Sequence, residues 1–225
     1  ERFQVNGAPI PGAALDRLAE RVLAAADTLP EHPTEFELMT AIGFLWFAEA
    51  GCDLVVVEVG LGGRLDSTNV IPAPEAAVIT NIGLEHTAIL GSTLAAIAAE
   101  KSGILKPGCR AVLYGQSREV GEIVARACVE KNIPLTVTDD SQLTLLSSGL
   151  DGQRFTYRGS APLLLPLLGD YQLRNAMTVL DTVDALRAQG WNISADAVAR
   201  GLAAARWPGR LELVRRRPDL IIDGG

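Results

Sequence analysis

The sequence predicts an α/β fold in which a mostly parallel sheet is flanked by helices and accompanied by a small antiparallel subsheet. Short apolar runs alternate with helix-length segments over residues 34–138, a pattern typical of parallel sheets. The texture then changes over residues 141–168, where short alternating runs separated by GLDG and GSAP indicate hairpin strands. The chain has 225 residues, 48% of them hydrophobic, which is enough for a large core.

The first predicted helix covers the segment TEFELMTAIGFLWFAEAG. Thr34 is its expected N-cap, Glu37 follows three residues later as in a capping box, and Gly51 is the expected terminator. The run DLVVVEVG, residues 53–60, then predicts a strand buried on both faces. Further parallel strands are predicted at EAAVITNIG, CRAVLYG and IPLTVT, with intervening helices at TLAAIAAEKSGIL and SREVGEIVARACVEKN.

The sequence of the C-terminal third predicts two more helices and two strands. A long helix is expected from Asp170 to Gln189, followed by a shorter helix capped by Ser194 and strands at LELVRR and DLIID. No linker or repeat is visible, so we expect the subsheet to pack on the α/β layer within one domain over residues 1–225. The chain begins without Met and stops in LIIDGG, which suggests a segment of a longer protein, with residues 211–225 leading toward a C-terminal domain.

The charge and cysteine content of the sequence argue against several kinds of binding partner and site. The formal net charge of -7 argues against a nucleic acid or an anionic membrane as partner, because both reward clustered Lys and Arg. Cys52, Cys109 and Cys128 form no CxxC pair, which disfavours a zinc site or a disulfide framework and fits a cytoplasmic setting. No apolar run reaches the ~18 residues that a membrane span needs.

The segment LVVVEVGLGGRLDSTNVI carries the first candidate site. Ligands of open α/β sheets bind beyond the carboxyl ends of strands, and the stretch from Glu58 to Asp66 follows such an end. GLGG is a weak dinucleotide signal, because RLDSTNVIPAP is poor helix material and a pyrophosphate needs a helix N-terminus. A GxxxxGK[ST] phosphate loop is absent from the sequence, so an ATP-dependent protein would carry that loop elsewhere.

These segments resemble the folylpolyglutamate synthase and dihydrofolate synthase family of the Mur ligase superfamily. VVEVGLGGRLDSTNVI resembles its glycine-rich block, and six more segments resemble other blocks in the same order: ERFQVNGAPI, TEFELMTAIGFLWFAE, TNIGLEHTAILGSTLAAIAAEKSGILKPG, LLGDYQLRNAMTVL, RWPGRLE and LIIDGG. The resemblance covers essentially the whole chain. It implies a Mur-ligase-like ATP-binding central domain, with the phosphate loop before Glu1 and a glutamate-binding domain after Gly225.

The resemblance implies an ATP-dependent carbon–nitrogen ligase. ATP would phosphorylate a carboxylate of folate or dihydropteroate, and the amine of L-glutamate would attack the acyl phosphate to form an amide. Phosphoryl transfer needs Mg²⁺ and positive groups around the phosphates. ATP and Mg²⁺ are therefore the implied cofactors, and the segment alone, lacking the phosphate loop, is expected to be inactive.

The resemblance assigns catalytic and metal-binding roles to three residues. Glu58 is implied as a Mg²⁺ ligand, since hard cations prefer carboxylate oxygens, and His86 as both ligand and catalytic residue. Lys101 is implied as a catalytic lysine carbamylated by CO₂, a reaction that needs an uncharged amine. We expect the three to converge at one end of the sheet. The family commonly has Asp where Glu85 stands. Each of the three roles has a competing interpretation. Glu58 could be a carboxylate satisfied by local backbone N–H groups, His86 a surface or packing residue, and Lys101 a solvated lysine at a helix C-terminus.

The resemblance also assigns the nucleotide and pterin contacts. Asn175 is implied at the adenine, Arg210 at phosphate and Asp223 at the ribose. The alternative interpretations, in the same order, are an amide on the helix surface, an exposed ion pair and an Asp that forms a turn. Gly225 stands where the family usually has Ala. Four residues are implied at the pterin, two of which compete with a structural role as N-cap or core: Thr34, Phe36, Leu65 and Asp66.

Two other functions stay open at this point. The chain could belong to another Mur-type ligase, which adds an amino acid to a peptidoglycan precursor, although GLGGRLD and ERFQVNG favour the folate branch. It could also be a non-catalytic binding module, which a GTNGKGS-like loop encoded upstream would argue against. The choice between dihydrofolate synthase, polyglutamate synthase and both is open as well.

Overall fold

The computed structural model describes residues 2–224, which divide after Ile71 into two compact units. Glu1 and Gly225, the end residues of the predicted 1–225 domain, lie outside the described residues. In the described part of the chain, no helix is both long and apolar enough to cross a bilayer. Cys52, Cys109 and Cys128 are free thiols.

The first unit begins with a small hairpin and a helix that the sequence reasoning did not predict. Strands β1 (Gln4–Val5) and β2 (Ala8–Pro9) pair antiparallel, and the turn between them is Asn6-Gly7 with φ of 53° and 79°. Asn-Gly favours such a two-residue turn because both residues tolerate positive φ. Helix α1 (Gly12–Ala26) follows and packs through Leu18 and Val22 against the next helix.

That next helix, α2 (Glu35–Glu49), confirms the predicted signals at its start. The backbone N–H of Glu37 donates to the Thr34 hydroxyl at 3.3 Å, and the backbone N–H of Thr34 donates to the Glu37 carboxylate at 2.7 Å. The two bonds form the predicted capping box, which satisfies donors that an uncapped helix leaves unpaired. Gly51, with φ of 65°, follows the last helical turn.

The strand predicted over residues 53–60 is not formed. The backbone of this segment has no regular secondary structure, and no strand among the described residues pairs with it. Val56 is 92% exposed, so the expected burial on both faces is wrong as well. A strand needs a neighbour for its N–H and C=O groups, and an apolar run in sequence does not supply that partner.

The second unit contains the predicted parallel sheet. Strands β3 (Ala76–Ile79), β4 (Arg110–Leu113) and β5 (Leu135–Val137) pair in that order, with Ile79 opposite Leu113. The connections cover the sheet with helices, which keeps Val112 and Leu113 at 1% exposure. These helices are α3 (Thr87–Leu90), α4 (Leu94–Lys101), which continues into a 3₁₀ turn (Ser102–Ile104), and α5 (Arg118–Glu130).

The predicted antiparallel subsheet belongs to the same unit. Its strands are β6 (Leu143–Gly149), β7 (Gly152–Tyr157) and β8 (Leu163–Leu165), paired in sequence order. Helix α6 (Asp170–Ala188) packs on it and also contacts β3 and β4. The remaining elements are α7 (Ala195–Ala203), capped by Ser194 as predicted, and the antiparallel pair β9 (Glu212–Arg215) and β10 (Leu220–Ile222).

Candidate active site

The carboxyl ends of the three parallel strands lie close together. A Cβ atom added to Gly115, just after β4, would lie 2.3 Å from the carbonyl oxygen of Thr138, which follows β5. Only glycine allows the two strand ends to approach this closely. The loop of residues 80–86 leaves β3 at the same end of the sheet. Ligands of open α/β sheets bind at such an end, so the second unit offers a site there.

His86 ends the loop that leaves β3. Its backbone is left-handed, with φ of 51° and ψ of 36°, and it occupies the N-cap position of α3. This conformation is uncommon for residues other than glycine and is found preferentially at functional sites. The imidazole is exposed and makes no hydrogen bond to residues 2–224, so its ring nitrogens are available to a ligand.

Lys101 is the last residue of α4 and is partly buried. Its ammonium group has no hydrogen bond or ion pair with any described residue. The neighbouring Ser102 is buried, and its hydroxyl donates to the carbonyl of Ala98 at 2.7 Å. A lysine without a counter-ion at this position is accessible to modification on its nitrogen, as the predicted carbamylation requires.

Glu58 lies in the first unit, in the irregular segment that replaces the predicted strand. Its carboxylate is exposed and has no hydrogen-bond or ion-pair partner within residues 2–224. The alternative of a carboxylate satisfied by nearby backbone N–H groups is therefore not what the structure contains. The convergence of Glu58 with His86 and Lys101 stays a prediction.

The donor chemistry of these residues can be compared with the needs of Mg²⁺. Within the described residues, no three His, Cys, Asp or Glu side chains form a group that could hold a metal ion. Mg²⁺ commonly keeps several water ligands and takes one or two carboxylates together with substrate phosphates. A free carboxylate such as that of Glu58 fits this kind of open site, whereas imidazole is a less usual Mg²⁺ ligand.

Asp66 organises the glycine-rich loop from within. One carboxylate oxygen accepts the backbone N–H of Leu61 at 2.9 Å, and the other accepts the backbone N–H of Thr68 at 2.9 Å. The bonds shape the turn through Gly62 and Gly63, which have φ of 69° and 154°. Leu65, next to Asp66, is 80% exposed.

Phe36 lies against this loop. A Cβ atom added to Gly60 would lie 2.5 Å from Cζ of the Phe36 ring, so the ring packs directly on the glycine backbone. A second contact joins α2 to the loop, since the hydroxyls of Thr40 and Ser67 are 3.2 Å apart. The structure thus brings Phe36 to the glycine-rich loop with its side chain still partly exposed, while the Thr34 hydroxyl is engaged in the capping box.

Asn175 is the sixth residue of α6 and is exposed. Its Nδ2 donates to Oε1 of the buried Gln172 at 3.1 Å. That bond leaves the Asn175 carbonyl oxygen and the second amide hydrogen available to a ligand. An amide with one acceptor and one donor side by side matches the edge of a nucleobase.

Arg210 and Asp223 lie at the same end of the β9–β10 pair. Asp223 accepts the backbone N–H of Leu211 at 3.3 Å, and the N–H of Gly224 donates to the carbonyl of Gly209 at 2.6 Å. The Leu211 side chain in turn approaches Gly169, the residue before α6. Arg210 and Asp223 are therefore brought to the start of α6, and Asn175 follows about 9 Å along that helix.

Two groups of residues at the sheet ends were missed by sequence reasoning. Gln116 connects the ends of β3 and β4 through its side chain, and its only signal in sequence is its position directly after the predicted strand CRAVLYG. The buried Asp181 accepts hydrogen bonds from Tyr157 and Arg158, and burial together with this carboxylate raises the pKa of the Tyr157 hydroxyl. An Asp in mid-helix gives no hint of such partners.

Comparison with known proteins gives independent evidence on the family of this chain. Residues 20–183 match the family described as the Mur ligase middle domain. Folylpolyglutamate synthase of Lacticaseibacillus casei is 37% identical over 236 residues, covering 100% of this chain and 55% of that protein. Dihydrofolate synthase/folylpolyglutamate synthase of Bacillus subtilis (strain 168) is also 37% identical, with 100% and 54% coverage. The chain thus spans about half the length of these curated relatives.

Solved structures show the same likeness. A structure described as an FPGS-AMPPCP-folate complex has a TM-score of 0.90 at 35% identity and covers 100% of this chain and 57% of that one. Mycobacterium tuberculosis folylpolyglutamate synthase complexed with ADP and AMPPCP has a TM-score of 0.85 at 34% identity, with 99% and 53% coverage. The α/β fold class predicted from the sequence is confirmed by these matches.

Proposed function

Because the chain belongs to the Mur ligase family through its middle domain, we propose that the complete protein is an ATP-dependent ligase that adds L-glutamate to folate or dihydropteroate. The observation that carries the proposal is the whole-chain likeness to a structure described as holding folate and an ATP analogue, at 35% identity. We further propose that this chain is the ATP-binding central part of that ligase, inactive by itself, and that the protein acts in the cytoplasm.

The proposed reaction has two steps. A carboxylate oxygen of the folate substrate attacks the γ-phosphorus of ATP, so that ADP leaves and an acyl phosphate forms. The amine of glutamate then attacks the acyl carbon, the C–O bond to phosphate breaks, and the amine loses a proton. The products are the amide, ADP and inorganic phosphate.

His86, Lys101 and Glu58 are the proposed catalytic and metal-binding residues. Glu58 and His86 would hold Mg²⁺, which when bound offsets the negative charge of the phosphates. Lys101 would react with CO₂ through its nitrogen, releasing a proton and forming a carbamate. Support comes from the unpartnered side chains of all three residues in the described part of the chain and from the left-handed backbone of His86.

Asn175, Arg210 and Asp223 are the proposed ATP contacts. The Asn175 amide would pair with the adenine edge, the Arg210 guanidinium would bind phosphate, and Asp223 would accept hydrogen bonds from ribose hydroxyls. The grouping of Arg210 and Asp223 near the start of α6 supports this assignment.

The pterin would lie on the surface formed by α2 and the glycine-rich loop. Phe36 and Leu65 are the proposed direct contacts, since both side chains are exposed there, Leu65 to 80%. Thr34 and Asp66 would act at the same surface by fixing its shape, through the capping box and the loop hydrogen bonds. An aromatic ring is well suited to stacking on a flat heterocycle.

An oxygen-transfer experiment tests the proposed chemistry. The folate substrate is labelled with ¹⁸O in the reacting carboxylate and incubated with ATP, glutamate and the complete protein. An acyl phosphate requires one labelled oxygen to leave with the inorganic phosphate, which mass spectrometry detects. Unlabelled phosphate formed together with the glutamylated product would contradict the acyl-phosphate route.

A further inference from the structure

The side-chain amide of Gln116 joins the carboxyl ends of two parallel strands. Its Oε1 accepts the backbone N–H of Ile82 at 2.9 Å. Its Nε2 donates to the carbonyls of Thr80 and Tyr114, both at 3.3 Å. Both amide hydrogens and the carbonyl oxygen are therefore engaged, and two of the three partners follow β3, more than thirty residues away in the chain.

Gln116 is held at the strand end by its neighbours. Gly115 precedes it and lets β5 approach, since any side chain there would collide with the carbonyl of Thr138. Ser117 follows and caps α5 by accepting the N–H of Val120. The backbone of Gln116 is thus fixed between a sheet and a helix, so its side chain is directed at the end of β3.

The loop after β3 depends on this amide for its path. The last backbone bond between β3 and the segment after β4 is donated by the N–H of Tyr114 to the carbonyl of Ile79 at 2.9 Å. Beyond it, the N–H of Ile82 has no strand partner, yet Ile82 is only 6% exposed. Gln116 supplies the acceptor that this buried donor needs. His86 follows four residues later in its left-handed conformation.

We propose that Gln116 is a positioning residue: its side-chain amide fixes the course of residues 80–86 and thereby holds His86 in place for the reaction. The inference rests on the proposed function, because His86 matters for catalysis only if that function holds. Residues that orient a reactive or metal-binding side chain through hydrogen bonds commonly affect activity without touching the substrate.

The same sheet provides a matched control at its opposite end. Nε2 of Gln189 donates to the carbonyls of Gly108 at 3.0 Å and Glu75 at 3.5 Å. These residues precede β4 and β3, so Gln189 joins the amino ends of the two strands that Gln116 joins at their carboxyl ends. None of the proposed site residues lies at the amino ends.

The test compares Gln116→Met with Gln189→Met in the complete protein. Methionine keeps the length of the side chain and removes its hydrogen bonds. We expect Gln116→Met to lower kcat for phosphate release, and to raise the Mg²⁺ concentration for half-maximal rate, each about tenfold or more. Gln189→Met is expected to stay within about twofold of the wild type on both measures, with a smaller loss of thermal stability because its hydrogen bonds are exposed. Equal kinetic effects in the two variants would overturn the inference.

A second readout does not depend on activity. Backbone hydrogen exchange, followed by mass spectrometry, is expected to accelerate in residues 80–86 of Gln116→Met and to stay unchanged there in Gln189→Met. Unchanged exchange in Gln116→Met would overturn the inference even if the wild type is an active ligase. A wild type that releases no phosphate would instead overturn the proposed function, and faster exchange in Gln116→Met would still support the role of the amide in fixing the loop.

Discussion

The hydroxyl of Tyr157 donates a hydrogen bond to the carboxylate of Asp181 at 2.9 Å, and this bond ties strand β7 to helix α6. The other carboxylate oxygen accepts Nε of Arg158, also at 2.9 Å. Asp181 is only 2% exposed, so its charge depends on these two partners for compensation. Helix α6 carries Asn175, and the position of the proposed adenine contact therefore depends on the buried acid.

Removal of this acid is expected to destabilise the protein strongly. Asp181→Ala removes the acceptor of the Tyr157 hydroxyl proton and the counter-ion of Arg158, and is expected to lower the free energy of unfolding by about 3 kcal/mol. Tyr157→Phe removes one of the two bonds and is expected to cost about 1 kcal/mol. Urea unfolding measures both, with Glu122→Ala, which breaks an exposed ion pair with Arg118, as a control of little effect. If Asp181→Ala lowered the free energy of unfolding no more than Glu122→Ala does, the stabilising role of Asp181 would be contradicted.

The capping box gives stability that depends on pH. The backbone N–H of Thr34, and then its hydroxyl, lower the pKa of the Glu37 carboxyl. A lowered folded-state pKa means that this contribution is present above the ordinary pKa of Glu and is lost as pH falls through the lowered value. Thr34→Ala is expected to cost about 1 kcal/mol at neutral pH and to weaken this acid dependence, while Thr34→Ser keeps both. Urea unfolding at a series of pH values between about 3 and 7 measures this pH dependence of stability. Identical dependence of the free energy of unfolding on pH in the Ala and Ser variants would contradict the prediction.

Gly60 is expected to control the pterin surface through Phe36. A methyl group at Gly60 collides with the Phe36 ring and displaces it. We expect Gly60→Ala to raise KM for the folate substrate about tenfold and to leave KM for ATP within about twofold. Gly121→Ala is the matched control, because nothing lies within 4 Å of the added methyl. An equal rise in both KM values would show a general loss of structure instead.

His86 and Lys101 are expected to be needed for the chemical step. Neither side chain has a hydrogen-bond or ion-pair partner among the described residues, so truncation removes no such interaction from the fold. In the complete protein, His86→Ala and Lys101→Ala are each expected to lower kcat by about 10²-fold or more, with little change in melting temperature. His32→Ala, which removes the other histidine, is the control expected to keep full activity. Full activity of His86→Ala would remove His86 from the site.

Local signals in the sequence predicted most of the second unit. Ser194 marks a helix start through a hydrogen bond within three residues, as Thr34 does in the first unit, and α6 was predicted to within one residue of its end. The failure over residues 53–60 has a different cause, because burial and pairing of a strand depend on distant parts of a chain. Helix α1 was missed because it starts after Pro11 without a side-chain cap.

The candidate site was predictable only through resemblance to a family. Composition and spacing single out Glu58 as an acid in an apolar run, but they assign no role to Asn175, Arg210 or Lys101. Gln116 was missed since its partners Thr80 and Ile82 lie 36 and 34 residues away, and nothing local marks a glutamine after a strand. Such long-range side-chain contacts become visible only in the fold.

Phosphate release by the complete protein tests the central claim most directly. The assay contains Mg-ATP, L-glutamate and either dihydropteroate or tetrahydrofolate, with each substrate omitted in turn. We expect sustained release only when all three substrates are present, because the acyl phosphate turns over when glutamate attacks it. Activity with one or both folate substrates would also identify the reaction as dihydrofolate synthesis, polyglutamylation or both. Phosphate release that is independent of folate and glutamate, or no release with any combination, would contradict the account.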